Sequence, residues 1–223
     1  MSYKNIELRN NIIFLSVILI VIASFFLDYN IYKDKIMSKK SLYNIDSELS
    51  AEVIQQRTLM AVKALKFLNF KLLQNVIHPK LGVRVSPYPY ILSSDKILFA
   101  HEVKQYYDND IQYNWGYDSD MNPIILTFKE YYNRYIYNQD FANYDEISFN
   151  KELSNPTKMV DNTREFYINA IIVELKINGV LPENQGKDWT ILRLVFDNYK
   201  DNWYLIAIVN LRGIIATYDH LSQ

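Results

Sequence analysis

The chain of 223 residues contains no cysteine. This absence excludes disulfide bonds, thiolate catalysis, and zinc or iron–sulfur sites held by cysteine. It also excludes a lipid-modified cysteine as the means of membrane attachment. The three histidines, His78, His101 and His220, are scattered and lack metal-binding spacing. The net charge is −1 and no long basic run occurs, which argues against nucleic-acid binding. We therefore expect no metal, no cofactor and no nucleic-acid partner.

The N-terminal region holds a long apolar run, Asn11–Leu27, that contains no charged residue and ends at Asp28. As a helix its apolar part would span about 24 Å at ~1.5 Å per residue, slightly short of the ~30 Å hydrocarbon core of a bilayer. Two interpretations remain open. A signal peptide could be cleaved after Ala23, but Phe25–Leu27 continue the run, which favours an uncleaved anchor.

Three regions follow from this pattern: residues 1–28 as membrane anchor or signal segment, 29–49 as polar spacer, and 50–223 as one domain. Hydrophobic residues make up 49% of the chain, enough for a packed core. Lysines lie on both sides of the apolar run, but long domains translocate largely regardless of such charges. We expect a single-pass protein of the cell membrane with an extracytoplasmic C-terminal domain.

The domain is predicted to open with one long helix, with Ser50 as N-cap and an end near Ile77 because Pro79 disfavours helical geometry before it. Short strands follow at GVRV, KILF and IQYNWGY, and a hairpin is predicted from Ile111 to Thr127. The helical prediction rests on an apolar stripe at three- and four-residue spacing, formed by Val62, Leu65, Leu68, Leu72 and Val76.

A capping box, Thr127–Glu130, predicts a second helix with sequence FKEYYNRYIY. Its tyrosines, among them Tyr131 and Tyr135, either pack on the sheet or form an aromatic surface for a glycan or protein. Residues 138–167 read as loop-rich. Ile168–Ile177 is predicted to be a strand from its β-branched content.

The last part of the domain predicts a central β-hairpin. In DWTILRLVFDNYKDNWYLIAIVNLRG two apolar strands flank a polar turn, and both faces of each strand are largely apolar. A helix followed by antiparallel strands predicts an α+β fold. We expect a curved antiparallel sheet packed on helices, of the nuclear-transport-factor-2-like or cystatin-like kind, behind an N-terminal membrane helix.

Three motifs occur in a characteristic order: HPKLGVRVSPYPYI, NWGYDSDMNPIILTFKEYYNRYIYNQDF and GKDWTILRLVFDNYKDNWYLIAIV. Over roughly residues 78–209 the chain resembles a family of exported bacterial domains, many of them lipoproteins. The resemblance implies an extracytoplasmic location and transfers no catalytic residue. This chain departs from the family pattern in lacking the lipid-modified cysteine, and in having Asn210 and Leu211 where relatives carry His-Asp.

Arg193 stands in the middle of an apolar strand and requires a partner, because an unpaired buried charge is very costly. Glu174 and Asp188 are the expected acids. One interpretation is a buried structural ion pair. The other is a pocket on the concave face of the sheet, around Arg193 and Trp189, that holds a carboxylate or phosphate.

The segment His78–Ile91 holds three of the six prolines and is expected to form a rigid corner between helix and sheet. His78 is expected to cap the last carbonyls of the preceding helix. The functional alternative is that Arg84, Tyr88 and Tyr90 line the mouth of a pocket. DSDMNP resembles the start of a calcium loop, but its proline and the absent glutamate favour a hairpin turn.

The function expected from these observations is a membrane-anchored extracytoplasmic binding or interaction module, non-enzymatic, with an unknown protein or small molecule as ligand. One alternative is an assembly component of a cell-envelope secretion or conjugation machine. Another is a small-molecule enzyme with a conical pocket, in which Glu174 and a tyrosine would serve as acid and base beside Arg193.

Overall fold

The computed structural model describes residues 48–118, 122–153 and 160–213. The predicted membrane segment at 11–27, nearly all of the spacer and the cleavage position at Ala23 lie outside these residues. No helix within the described ranges combines the length and apolar character needed to cross a membrane.

The elements occur in the following order. The helices are α1 (Glu48–Lys66), α2 (Phe70–Val76), α3 (Val103–Asp108), α4 (Phe128–Tyr131), continued by a π-helical turn at Tyr132–Ile136, and α5 (Thr163–Phe166). The strands are β1 (Val83–Ser86), β2 (Ile97–Leu98), β3 (Gln112–Tyr117), β4 (Pro123–Thr127), β5 (Glu146–Phe149), β6 (Ile171–Ile177), β7 (Thr190–Tyr199) and β8 (Asn202–Arg212). Short 3₁₀ turns occur at Phe141–Asn143 and Pro182–Asn184.

The long helix predicted at the start of the domain is two helices. Leu68 adopts a φ of +50° and is exposed, so the apolar stripe is interrupted at its middle. Asn69 then caps α2 by accepting a hydrogen bond from the Leu72 N–H at 3.0 Å. Because α1 includes Ser50, Ser50 is not its N-cap. The predicted end near Ile77 is confirmed.

The core of the fold is a six-stranded sheet in the order β2-β1-β8-β7-β6-β5, and the described part is α+β. The sheet is mixed rather than purely antiparallel, since β1 runs parallel to β8. The physical reason lies at the end of α2. The His78 N–H bonds to the Leu205 carbonyl at 3.0 Å, and Ile77 pairs with Leu205 in a parallel bridge, so the chain enters the sheet already running along β8.

The C-terminal hairpin, β7 and β8, is central, as predicted. Leu192, Leu194, Phe196 and their neighbours on the opposite face are all buried. A bulge interrupts the pairing: Val195 lies opposite Ala207 and Phe196 opposite Leu205. Ile206 is therefore the extra residue of the bulge. The strand predicted at Ile168–Ile177 begins at Ile171.

The predicted hairpin between Ile111 and Thr127 forms as a separate two-stranded sheet of β3 and β4. Trp115 of this hairpin stacks on Tyr131, with ring centroids 4.3 Å apart. The capping box at Thr127 is confirmed. Tyr131, Tyr132 and Tyr135 are buried, so these tyrosines fill the core rather than form a surface.

Candidate functional site

Arg193 lies at the centre of a buried ionic cluster. Its Nε and Nη2 donate to Glu174 Oε1 at 2.8 and 2.6 Å, which is possible because Glu174 is its direct neighbour across the β6–β7 pair. Its Nη2 also lies 2.7 Å from Asp161 Oδ2, and its Nη1 donates to Thr163 Oγ1 at 2.6 Å. The second carboxylate oxygen of Glu174 accepts the Leu153 N–H at 2.7 Å. The charges of this cluster are thus paired and hydrogen-bonded, as burial requires.

The second acid of the cluster is Asp161, not Asp188. Asp188 Oδ2 instead accepts the N–H groups of Val180 and Leu181, both at 3.1 Å. Asp188 lies just before β7, and its hydrogen bonds to Val180 and Leu181 hold its side chain against the loop between β6 and β7. It therefore does not reach Arg193 in the middle of β7.

The electrostatics of the cluster follow from its burial. Burial raises the pKa of Glu174, against the opposing effects of Arg193 and the Leu153 N–H. Burial would also raise the pKa of Asp161, but its hydrogen bond and charge interaction with Arg193 hold that pKa below its usual range. Burial opposes the charge of Arg193, but its hydrogen bonds and charge interactions with Asp161 and Glu174 outweigh burial and raise the pKa of Arg193.

The space beside Arg193 is small. A cavity of about 10 Å³ is lined by Glu174, Asp161 and Arg193, and this volume holds no more than about one water molecule. Trp189 is buried in the hydrophobic core on the same side and does not line this cavity. The arrangement matches the structural ion pair foreseen as one of the two interpretations of Arg193.

The partners of Arg193 belong to a segment that lies over one face of the sheet, residues 161–170, here called the covering segment. Asp161 and Thr163 attach it to Arg193. Asn162 attaches it to Ile91 twice, by accepting the Ile91 N–H at 2.7 Å and donating to the Ile91 carbonyl at 3.0 Å. The contacts of Arg193 with Asp161 and Thr163, and the two hydrogen bonds between the Asn162 side chain and the Ile91 backbone, thus fix the start of this segment.

The far end of the covering segment forms one wall of an open pocket of about 360 Å³. This volume is within the usual range for small-molecule sites, ~300–1,000 Å³. The polar lining residues are Arg84, Asn169 and Asp197. The others are Leu81, Ile97, Phe166, Tyr167, Ile168, Ala170 and Ile206.

Arg84 of β1 is anchored on one side of the pocket. Its Nη1 donates to the carbonyls of Leu92, Ser93 and Asp95 at 3.1, 3.1 and 2.8 Å. Its guanidinium carbon lies 5.3 Å from the centre of the Phe166 ring. Arg84 forms no ion pair with any carboxylate in the part of the chain that the structure describes.

Asp197 of β7 lines the same pocket. The described residues likewise give it no ion pair and no side-chain hydrogen bond. Arg84 and Asp197 therefore face one pocket with opposite charges without neutralising each other.

The remaining candidate residues serve the corner between α2 and the sheet. His78 is buried and its Nδ1 accepts the N–H groups of Lys80 and Leu81 at 3.1 and 2.9 Å. It therefore accepts from the following turn and does not cap the helix that precedes it. The Tyr88 ring contacts the Tyr135 ring, and Tyr90 is exposed. Of the three residues expected at a pocket mouth, Arg84 lines this pocket and Tyr88 and Tyr90 do not.

Sequence reasoning missed Asp161, Thr163 and Asp197. One signal was available for Asp197: Arg193, Val195 and Asp197 alternate along β7, so they share a face. Nothing in the sequence joins the covering segment to β7, because that contact depends on the path of a loop-rich region. That region also contains β5, which is only four residues long and was too short to be predicted from its sequence pattern.

No family model matches the chain, and comparison with curated proteins and with solved structures found no match either. Within the described ranges, no group of three or more histidine or acidic side chains is placed to hold a metal ion. The chemistry of the site is therefore argued from its own residues.

Proposed function

We propose that this protein is a non-enzymatic binding module, held at the cell membrane by residues 11–27, with its domain outside the cytoplasm. The observation that carries the proposal is the 360 Å³ pocket, which has on its walls an arginine and an aspartate that form no ion pair within the described residues. We therefore propose a ligand site around Arg84 rather than around Arg193 and Trp189.

Binding suits this pocket for two reasons. Its walls combine apolar side chains, which contribute affinity by leaving water, with a few polar groups that orient a ligand. Its side chains are also held in place: three carbonyls fix Arg84, and the covering segment is fixed through Asn162 and Arg193. A pre-organised site loses less free energy when it orders a ligand.

The membrane location rests on the uncharged run of residues 11–27 and on the resemblance to exported bacterial domains. A nuclear-transport-factor-2-like architecture is supported by the helices at the start of the domain and the central C-terminal hairpin. Two measurements test the location: resistance of the full chain to alkaline extraction from membranes, and digestion of the domain by protease added outside intact cells. Release into the soluble fraction, or protection from external protease, would contradict it.

The ligand site is tested by blocking the pocket. Asn169 is exposed and lines the pocket, so Asn169→Trp should fill its mouth without disturbing the core. Asn133→Trp, at an exposed position on the π-helical turn, is the matched control. The full chain in detergent is screened by ligand-observed NMR against small acids, amines, amino acids and short peptides.

At least one compound should bind the wild-type protein and the control variant, and should lose binding in Asn169→Trp. The proposal is wrong if no compound of the panel binds, or if every binder is insensitive to the block.

A further inference from the structure

The two charged side chains of the pocket, Arg84 and Asp197, lie on strands at opposite sides of β8. Arg84 of β1 pairs with Ala207 of β8, and Asp197 of β7 pairs with Tyr204 of β8. Ala207 itself faces Val195, two residues before Asp197. The side chains of Arg84, Val195 and Asp197 therefore project from the same face of the sheet.

The spacing of these charges follows from sheet geometry. Arg84 and Asp197 are two strands apart, roughly 10 Å at ~4.8 Å per strand, and are offset by about two residues, roughly 7 Å. Their Cα atoms are thus on the order of 12 Å apart. The three carbonyls of residues 92, 93 and 95 hold the Arg84 guanidinium on the side of β2, away from β7.

Arg84 interacts electrostatically with the nearby Asp95 carboxylate, but neither Arg84 nor Asp197 forms an ion pair within the described residues. The carboxylate of Asp95, close to Arg84, accepts hydrogen bonds from Ser86 and Leu92 at 2.6 and 2.9 Å. His78 interacts electrostatically with Asp197, and burial lowers the pKa of its imidazole, which favours the neutral form. A cation and an anion thus remain available at opposite ends of the pocket.

The surface between them is apolar. Ile206, presented by the bulge in β8, and Ala170 line the pocket together with Ile97 and Phe166. A fitting ligand has an anionic end, an apolar middle and a cationic end. Free α-amino acids do not satisfy this spacing, because their ammonium and carboxylate groups are attached to the same carbon atom.

We infer that the pocket binds short apolar peptides of two or three residues with both termini free. The peptide carboxylate is bound by the Arg84 N–H donors that remain beside its hydrogen bonds to the three carbonyls and to the Tyr167 side chain, and the terminal ammonium by Asp197. The peptide's side chains lie against Ile97, Phe166 and Ile206. Capture of a free peptide terminus is an established mode of peptide recognition, and arginine binds carboxylates through charge-assisted hydrogen bonds. The inference rests on the proposed function, whose site it specifies.

The test uses isothermal titration calorimetry on the full chain in detergent with five probes. The first is the tripeptide Ala-Leu-Ala. Two others carry one terminus blocked, as the N-acetyl form or as the C-terminal amide. The dipeptide Ala-Leu and free leucine vary the distance between the charges.

The free tripeptide or dipeptide should bind, and blocking either terminus should weaken binding about tenfold or more, as loss of a charge-assisted hydrogen bond does. Free leucine should bind more weakly than both. In Arg84→Met the amide should bind as well as the free peptide. In Asp197→Asn the N-acetylated peptide should bind as well as the free peptide. The matched controls are Arg164→Met and Asp110→Asn, both at exposed positions outside the pocket, and they should preserve the discrimination.

Three results would overturn the inference: equal binding of free and blocked peptides, preference for leucine, or pocket variants that weaken all probes equally. Such results would leave the proposed function intact if another compound binds in a manner blocked by Asn169→Trp. Absence of any blockable binding would remove both proposals together.

Discussion

The guanidinium of Arg193 and the carboxylate of Glu174 meet in the interior of the sheet through two hydrogen bonds, 2.8 and 2.6 Å long. The two residues are direct neighbours across β6 and β7, and each is almost inaccessible to solvent, 2% for Arg193 and 1% for Glu174. Arg193 also binds Asp161 and Thr163 of the covering segment. It therefore connects the stability of the sheet to the wall of the pocket.

Removing one member of this pair should be strongly destabilising. Arg193→Met leaves the Glu174 charge buried without its partner, and we expect a loss of about 3–5 kcal/mol in the free energy of unfolding. Adding Glu174→Gln removes that charge and keeps an acceptor for the Leu153 N–H. The double variant should then be more stable than Arg193→Met alone. Urea denaturation measures both, and a double variant no more stable than the single one would contradict the pairing.

Asp161 should make the stability of the domain dependent on acidic pH. Burial opposes its ionisation, but Arg193 outweighs burial and lowers the pKa below the ordinary value of 3.8. Its contribution is then present above the unfolded-state pKa and is lost as pH falls through the folded-state pKa. Asp161→Asn should flatten the fall in stability over that acidic range, as measured by urea denaturation at a series of pH values. An unchanged pH profile would show that the Asp161–Arg193 contact is not formed in solution.

His78 should also make the domain less stable as pH falls, but over a higher pH range than Asp161. Burial lowers its pKa below 6.5, against an opposing effect of Asp197, and Nδ1 must stay unprotonated to accept two backbone N–H groups. The unfolded chain binds a proton more readily, so stability should fall as pH drops from about 6.5 towards the folded-state pKa. In His78→Asn the side-chain oxygen can replace Nδ1 as acceptor, and this pH dependence should disappear. Persistence of the slope in the variant would assign it to another group.

The break between α1 and α2 predicts opposite effects at adjacent positions. Leu68 has a φ of +50°, a conformation that costs a residue with a Cβ about 1–2 kcal/mol, and its side chain is exposed. Leu68→Gly should therefore raise the free energy of unfolding by up to about 1 kcal/mol. Asn69→Ala should lower it by about 1 kcal/mol, because the cap on the Leu72 N–H is lost. Destabilisation by Leu68→Gly would indicate that the two helices form one continuous helix in solution.

The sequence predicted those elements that local chemistry determines. The capping box at Thr127, the stop before Pro79 and the central β7–β8 hairpin all follow from neighbouring residues. It also predicted that Arg193 needs an acid and that Glu174 is one. It did not predict Asp161, the parallel β1–β8 pair or the pocket, because each depends on contacts between distant segments. The sequence did not predict the break at Leu68. The leucine fits the apolar spacing of one continuous helix, although its side chain is exposed in the structure.

The central claim, that the pocket around Arg84 binds short apolar peptides, is tested most directly by methyl NMR of the isoleucine side chains. The full chain, labelled at isoleucine methyl groups, is titrated with Ala-Leu-Ala. The account predicts saturable shifts at Ile97, Ile168 and Ile206, which line the pocket, and none at Ile124 and Ile147, which lie elsewhere in the fold. Shifts confined to Ile172, beside the Arg193 cavity, or no shifts at the three pocket methyls, would contradict it.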